Sequence, residues 1–323
     1  MTVTRRAALA APFVLAAAGR ALPARAQAPF PNQTVRIIVP YSPGGASDIA
    51  ARLIAEKLTP LWKQSVVVEN RTGANGIVGS DAVAKAPADG STLGFVSVNH
   101  AVNAALYTTP FDTLKDFSVI SVIYSVPLLL VTAPDFPAKS VQELAAMVKA
   151  KPGAITFAGT GGAVHLAAEM FAHKVGAPMV HVPYRGSTAA HPDLIGGRVD
   201  VMFDTLAAVI GHVQSGKLKA LATTAAQRLP ILPDLPTVAE SGFPGFEAST
   251  WGAIIGPAGL QAPVVTKIAT DSIAQLQVPS IQERMAALGA TPVGSKPEEA
   301  QAFVRAEVAK WQAVVTQAGI EKQ

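Results

Sequence analysis

Short runs of β-branched and apolar residues alternate with amphipathic helical patterns from Thr34 onward. Residues 35–39 and 66–69 predict strands, and residues 46–58 between them repeat apolar positions at helical spacing. Alternation of this kind is typical of β-α-β units with parallel sheets, so we expect an α/β protein. The pattern predicts further strands at residues 92–98, 119–124, 128–132, 155–158, 180–182, 199–203 and 218–223, and helices at 141–149, 164–175, 264–274, 280–288 and 298–318.

The chain contains an internal similarity. Residues 44–57 align without a gap to residues 161–174, and each copy places Gly-Gly-Ala between a predicted strand and a predicted helix. Val-Glu-Asn-Arg at 68–71 has a weaker counterpart in Val-Pro-Tyr-Arg at 182–185. Chance similarity between two alanine-rich helices is the alternative, but the shared glycines and the similar distance to the next strand favour a repeat. The repeat predicts two related lobes whose strand-helix corners face each other across a cleft.

Both glycine corners are candidate anion sites. The first backbone N–H groups of a helix have no partner within the helix, and the helix dipole adds partial positive charge at that end. Glycine lets a ligand approach this backbone closely. Two opposed corners would suit one carboxylate, or both ends of a dicarboxylate. The alternative is that the glycines serve only a tight turn and a helix start.

Several enzyme and nucleotide-binding classes lack support in the sequence. The corners lack the P-loop pattern, the first corner lacks the G-x-G-x-x-G of a dinucleotide site, and no G-x-S-x-G or H-E-x-x-H occurs. His165 occupies the position in the second corner that Asp48 occupies in the first, and either side chain could contact a ligand. The enzymatic alternative is a hydrolase or isomerase that uses these two groups as acid and base. We predict a protein that is not an enzyme and needs no cofactor or metal.

The first 26 residues have the three-part pattern of a secretory signal peptide. Arg5 and Arg6 precede an uncharged stretch at 7–19, and an A-x-A cleavage site ends at Ala26. The paired arginines also fit the twin-arginine export route, beside the general secretory route. Some 13 apolar residues are too few to span a bilayer, which needs roughly 20. We therefore expect a periplasmic protein.

Charge and cysteine content narrow the function further. The chain has 26 Lys and Arg, 22 Asp and Glu, a formal charge of +4 and no cysteine. All four excess arginines belong to the leader, so the mature chain is formally neutral and carries no general signature of nucleic-acid binding. The absence of cysteine excludes disulfides and thiolate chemistry.

At its corners the sequence resembles the Bug receptors, the periplasmic substrate-binding components of tripartite tricarboxylate transporters. The matching stretches occur in the same order along essentially the whole mature chain. They are residues 38–48, 67–76, 159–162 with His165 and Leu166, 182–186, 193–200 and 235–240.

This resemblance implies a type II periplasmic-binding-protein fold, with two α/β lobes that are joined by a hinge and close on a ligand. Lobe 1 would comprise residues 27–130 and 248–323, and lobe 2 residues 131–247. Tyr41 would cover the ligand or pack beneath its loop, and Arg185 would bind a distal carboxylate or form a surface or interlobe ion pair. The ligand-binding residues carried over by position are Tyr41, Ser42, Gly44, Gly45, Ala46, Ser47, Asp48, Thr160, Gly161, Gly162, His165, Tyr184, Arg185, Gly186 and Asp204.

The resemblance also implies the ligand class and the partner. The ligand would be a small carboxylate: a dicarboxylate, a tricarboxylate, an amino acid or an aromatic acid. The far loop reads Gly161-Gly162-Ala163 where many relatives place a serine, so the ligand stays open within this class. The receptor would act as a monomer and deliver its ligand to a membrane permease. A receptor of the same fold that instead contacts a membrane sensor kinase is the alternative.

Overall fold

The computed structural model describes residues 30–160 and 162–322. The predicted signal peptide and Gly161 of the second corner lie outside the described residues. The strands are β1 Val35–Val39, β2 Val66–Asn70, β3 Thr92–Ser97, β4 Phe117–Thr132, β5 Thr156–Gly159, β6 Val180–Pro183, β7 Val201–Thr205, β8 Lys219–Thr223, β9 Ser249–Pro257 and β10 Thr291–Pro292. The helices are α1 Ala46–Trp62, α2 Ile77–Ala84, α3 Asn99–Leu106, α4 Val141–Ala150, α5 Gly162–Val175, α6 Ser187–Ile195, α7 Leu206–Gln214, α8 Ala262–Gln275, α9 Pro279–Ala287 and α10 Pro297–Gln317.

The strands follow the order β2-β1-β3-β9-β4-β7-β5-β6, and β8 and β10 also pair with β4. The strands β1, β2 and β3 are mutually parallel neighbours at one end, and β5 is parallel to β6 and β7 at the other. Between these ends, β9 runs antiparallel to both β3 and β4, and β4 runs antiparallel to β7. Each parallel group has its own βα corner at the carboxyl end of its strands.

Strand β4 belongs to both halves of the sheet. Its residues from Phe117 to Pro127 pair with β9, whereas those from Leu128 to Thr132 pair with β7 and β8. Nearly every side chain of this strand is buried, as expected for a central strand that is covered on both faces. The chain returns from β8 to β9, which starts at Ser249 opposite Pro127. The two crossings between the halves of the sheet therefore lie side by side.

Helix α10 is fixed to the central strands by a buried carboxylate. The Glu307 side chain accepts hydrogen bonds from the indole N–H groups of Trp251 in β9, at 2.9 Å, and Trp311, at 3.1 Å. Lys310 forms an ion pair with the other carboxylate oxygen. The buried negative charge of Glu307 is tolerated because one carboxylate oxygen accepts both indole hydrogen bonds and the other pairs with the lysine.

The structure confirms the α/β class and the strand-corner-helix order of both repeat copies, and it changes three expectations. The strands predicted at 119–124 and 128–132 are one strand, β4. The centre of the sheet is antiparallel, where alternation predicted parallel pairing. Strands β9 and β10 and helices α2, α3, α6 and α7 were not predicted. Within residues 30–160 and 162–322, no helix is both long enough and apolar enough to cross a membrane.

Candidate functional site

A cavity of about 720 Å³ lies between the β1–α1 and β5–α5 corners. This volume is in the range of small-molecule sites. The end of β3, helix α3, the central strands and the C-terminal tail complete its walls. The lining residues are Tyr41, Gly45, Ala46, Ser47, Asn75, Ser97, Val98, Asn99, Leu106, Tyr107, Tyr124, Thr160, Gly162, Ala163, Val164, His165, Leu166, Thr250 and Ile320.

The first corner directs the start of α1 at the cavity. Gly45 is the residue before the helix, its backbone is extended, and its carbonyl accepts the first helical bond from Ile49 N at 2.9 Å. Gly45, Ala46 and Ser47 line the cavity. The N–H groups of this first turn have no partner inside the helix, so they are free for a ligand oxygen.

Asp48 lies behind this corner and does not line the cavity. Its carboxylate accepts hydrogen bonds from Gly44 N at 2.9 Å, Arg52 Nε at 3.0 Å and Asn70 Nδ2 at 2.8 Å. Burial alone would raise the pKa of the Asp48 carboxyl, but the hydrogen bonds from Arg52, Gly44 and Asn70 outweigh it and hold the pKa below its usual range. Asp48 therefore holds the loop to α1 and β2.

The second corner approaches the first from the opposite wall. Thr160 and Gly162 line the cavity, and Gly162 adopts the left-handed conformation with φ of 54°. A Cβ on Gly162 would lie 2.8 Å from Oδ1 of Asn99, which stands at the start of α3. Gly162 and Asn99 therefore face each other at close range across the cavity.

His165 closes one side of the second corner. Its ring stacks on His181 with centroids 4.0 Å apart, and His181 stacks on Phe157. His165 Nε2 lies 3.1 Å from Glu169 Oε1. Burial, and secondarily the neighbouring His165 ring, lower the pKa of His181. The column of rings fixes the position of His165 in the cavity wall.

Two tyrosines form part of the floor. The Tyr41 hydroxyl accepts a hydrogen bond from Ser97 N at 3.0 Å, and the Tyr124 hydroxyl lies 3.2 Å from Ser47 Oγ. Burial raises the pKa of Tyr41, and burial raises the pKa of Tyr124 to about 12. Both phenols are therefore neutral at physiological pH and act as hydrogen-bonding groups.

Sequence reasoning missed a cluster of asparagines at the cavity. Asn99 Nδ2 donates to Asn75 Oδ1 at 3.0 Å, and Asn75 Nδ2 donates to Asn103 Oδ1 at 2.7 Å. Asn75 has a φ of 54°, a conformation that asparagine adopts more readily than most residues. The position of Ser97 and Asn99 could have indicated this cluster from the sequence. Both residues lie at the carboxyl end of β3, which is parallel to β1 and ends at the same edge of the sheet.

Several predicted site residues do not line the cavity. Ser42 and Gly44 are exposed in the first loop, and Asp48 lies behind it. Tyr184, Arg185 and Gly186 follow β6, and Asp204 lies near the end of β7, so all four are at the same sheet edge as the second corner.

Existing contacts occupy the side chains of two of these four residues, Tyr184 and Asp204. The Tyr184 hydroxyl donates to Asp193 at 2.8 Å. Buried Asp204 accepts a hydrogen bond from Ser187 Oγ at 2.8 Å and lies 2.8 Å from His191 Nε2. Arg185 is exposed.

Comparisons with a family model and with known proteins point to the same protein family. Residues 50–320 match the family model described as the tripartite tricarboxylate transporter family receptor. The chain is 38% identical to Protein BugT of Bordetella pertussis, with 99% of both chains covered.

Solved structures agree with this result. Rpa4515 of R. palustris with adipate is 36% identical with a TM-score of 0.76, over 91% of this chain and 100% of that one. MatC from Rhodopseudomonas palustris with bound malate is 30% identical with a TM-score of 0.72, over 88% and 100%. These two-lobed neighbours confirm the type II fold. The chain belongs to the tripartite tricarboxylate transporter receptor family, the Bug receptors, which are solute-binding proteins.

Proposed function

We propose that this protein is a periplasmic receptor that captures a small carboxylate between its two glycine corners and delivers it to a tripartite tricarboxylate-type membrane permease. The observation that carries the proposal is that both corners line one cavity. Each corner offers the unpaired N–H groups of a helix start, and the two helix dipoles favour negative charge at the same place. The carboxylates named for Rpa4515 and MatC support this ligand class.

The ligand carboxylate would be held mainly by neutral donors. Backbone N–H groups of the corners, with the hydroxyls of Ser47 and Thr160, surround the same space. Hydrogen bonds between a carboxylate and such donors are stronger than those between neutral groups, so a cationic side chain is not required.

Closure would follow from the two crossings in the sheet. We propose lobe 1 as residues 27–130 and 248–323 and lobe 2 as residues 131–247, and the change of strand partners after Pro127 supports these boundaries. A ligand that contacts both corners would favour the closed form over the open one. Tyr184, Arg185, Gly186 and Asp204 would then approach the ligand from the edge of lobe 2.

The geometry gives little support to an enzymatic role for Asp48 and His165. The Asp48 carboxylate is fully engaged by Gly44, Arg52 and Asn70 behind the corner. It is therefore unavailable as a general base in the cavity. We propose that the protein returns its ligand unchanged and acts as a monomer.

Mass spectrometry of the solute released on denaturing freshly purified protein tests this function. We expect an intact small carboxylate, and we expect calorimetry to show that the same compound rebinds about one to one. A chemically altered compound after incubation would contradict the receptor function. Failure of every carboxylate in a calorimetric panel to bind would contradict the ligand class.

A further inference from the structure

The two ends of the cavity differ in chemistry, and helix α3 sets the distance between them. Asn99 starts this helix and Leu106 ends it, and both line the cavity. At 1.5 Å of rise per residue, the two positions are roughly 10 Å apart along the helix. The cavity is therefore long enough for a ligand whose carboxylate is at one end and whose other end lies near Leu106.

The Asn99 end is polar. Ser97 and Asn99 lie there, and the short distance from Gly162 to Asn99 brings the second corner to the same end. Tyr184 N donates to the Gly159 carbonyl at 2.9 Å, so the segment that carries Arg185 lies beside the end of β5, just before the second corner.

The Leu106 end is apolar, and the C-terminal tail forms part of it. Ile320 lines the cavity, and its N–H donates to the Val315 carbonyl at 3.1 Å. Lys322 Nζ lies 3.4 Å from the Ala104 carbonyl, which holds the tail beside the end of α3. Leu106 and Ile320 are partly buried and pack on the same hydrophobic core. Tyr107 adds an aromatic ring beside them.

No lysine or arginine lines the cavity among the residues that the structure describes. The one histidine of the lining, His165, is in the second corner. A carboxylate at the Leu106 end would lose water beside a single phenol, that of Tyr107, while the nearby ammonium of exposed Lys322 lies outside the lining and already donates to the Ala104 carbonyl. Such burial is poorly compensated and therefore costly. An apolar group there would instead gain free energy from contact with Leu106 and Ile320.

We infer that this receptor selects a monocarboxylate whose far end is uncharged and apolar or aromatic, with Leu106, Tyr107 and Ile320 as the residues that determine this specificity. The inference rests on the proposed function, since it assumes that the carboxylate binds at the glycine corners. It separates this chain from Rpa4515 and MatC, whose adipate and malate carry two carboxylates.

Calorimetric titration with matched acids tests the inference. Hexanoate and adipate are a monoacid and a diacid with the same number of carbons. Benzoate and terephthalate are a monoacid and a diacid built on the same benzene ring. We expect the monoacid of at least one pair to bind about tenfold or more tightly than its diacid, a difference of about 1.4 kcal/mol in binding free energy. If diacids bind as tightly as monoacids or more tightly, the inference is wrong and the receptor function stands. If none of the four acids binds, the inference is wrong as well, and calorimetry with the wider panel of carboxylates then decides the proposed function separately.

Variants of Ile320 show whether this end of the cavity sets the preference. Ile320→Lys should move the preference toward the diacid by about tenfold, because the ammonium can pair with the second carboxylate. Ile231→Lys is the matched control, since Ile231 is 54% exposed and lies outside the cavity, and it should leave the preference unchanged. Ile320→Ala should weaken monoacid binding without strengthening diacid binding, and it keeps the test valid if the lysine variant does not fold. An unchanged ratio of affinities in folded Ile320 variants would overturn the inference.

Discussion

Thr224 and Leu128 exchange hydrogen bonds where the chain crosses between the two halves of the sheet. Leu128 N donates to Thr224 Oγ1 at 2.9 Å, and Thr224 N donates to the Leu128 carbonyl at 2.9 Å. Ala248 N also donates to the Thr224 carbonyl at 3.3 Å. Thr224 therefore joins both crossing segments at the proposed hinge.

Replacing Thr224 with valine should destabilise the protein by about 1–3 kcal/mol, because the buried Leu128 N–H loses its acceptor while the side-chain shape is kept. Urea unfolding measures this change in the free energy of unfolding. Thr291→Val provides the control, since Thr291 is an exposed strand residue, and it should change stability by less than about 0.5 kcal/mol. Equal effects of the two substitutions would contradict a structural role for Thr224 at the hinge.

Gly162→Ala should weaken binding of the solute recovered from the protein by about tenfold or more. The new Cβ would push Asn99 away from the position in which it donates to Asn75. Gly197→Ala is a matched control, because Gly197 has a φ of 66° and open space around its Cβ position. Both variants should lose about 1–2 kcal/mol of stability from the left-handed backbone, but only Gly162→Ala should lose affinity. Unaltered affinity in Gly162→Ala would argue against ligand contact at the second corner.

Asp48→Asn should loosen the first corner and lower stability by about 1–3 kcal/mol at neutral pH. The folded pKa of Asp48 is depressed, so its stabilisation is present above pH 3.8 and is lost as pH falls through the folded pKa. The difference in free energy of unfolding between wild type and variant should therefore shrink as pH falls below 3.8. Asp234→Asn, at an exposed position, should leave neutral-pH stability nearly unchanged. A difference that does not depend on pH would refute this role of the carboxylate.

Buried His100 should give folding stability a second pH dependence, at higher pH than that of Asp48. Its ring is buried between Phe111 and Phe117, and burial lowers its pKa from 6.5 to about 4. As pH falls, the His100 ring is protonated in the unfolded chain before it is protonated in the folded protein. The contribution of neutral His100 to folding stability is therefore full above pH 6.5 and decreases as pH falls toward 4. The melting temperature of His100→Phe should decrease less over this interval than that of wild type. His173→Phe, at an exposed ring, controls for the loss of one titratable group. If the melting temperatures of wild type and His100→Phe fell in parallel as pH is lowered, this prediction would be contradicted.

The sequence predicted the elements that carry strong periodicity or strong turn signals. The repeat at residues 44 and 161 located both corners, because glycine pairs before a helix are local features of the chain. Strand β9 was missed because Gly252 and Gly256 interrupt its apolar run. Gly252 is there because a Cβ would clash with the Tyr124 ring of the neighbouring strand, a contact that no local pattern reveals.

The cavity depends on contacts between distant segments, and for that reason the sequence predicted only part of it. Ile320 reaches the cavity because α10 packs across the sheet, through contacts such as Trp251 with Glu307. Helix α3 brings Asn99 and Leu106 to the wall, but its short, mixed sequence carries too little periodicity to predict a helix. The predicted lobe 2 residues Tyr184 and Arg185 lie at the correct sheet edge, and their contact with ligand remains a prediction.

The central claim is that one ligand contacts both corners at once, and amide hydrogen exchange with and without the solute identified by mass spectrometry tests it most directly. We predict that the ligand slows exchange in peptides covering the start of α1 and in peptides covering the start of α5, while exchange in α9 is unchanged. If calorimetry registers binding but only one corner, or neither, is protected, the two-corner account is contradicted.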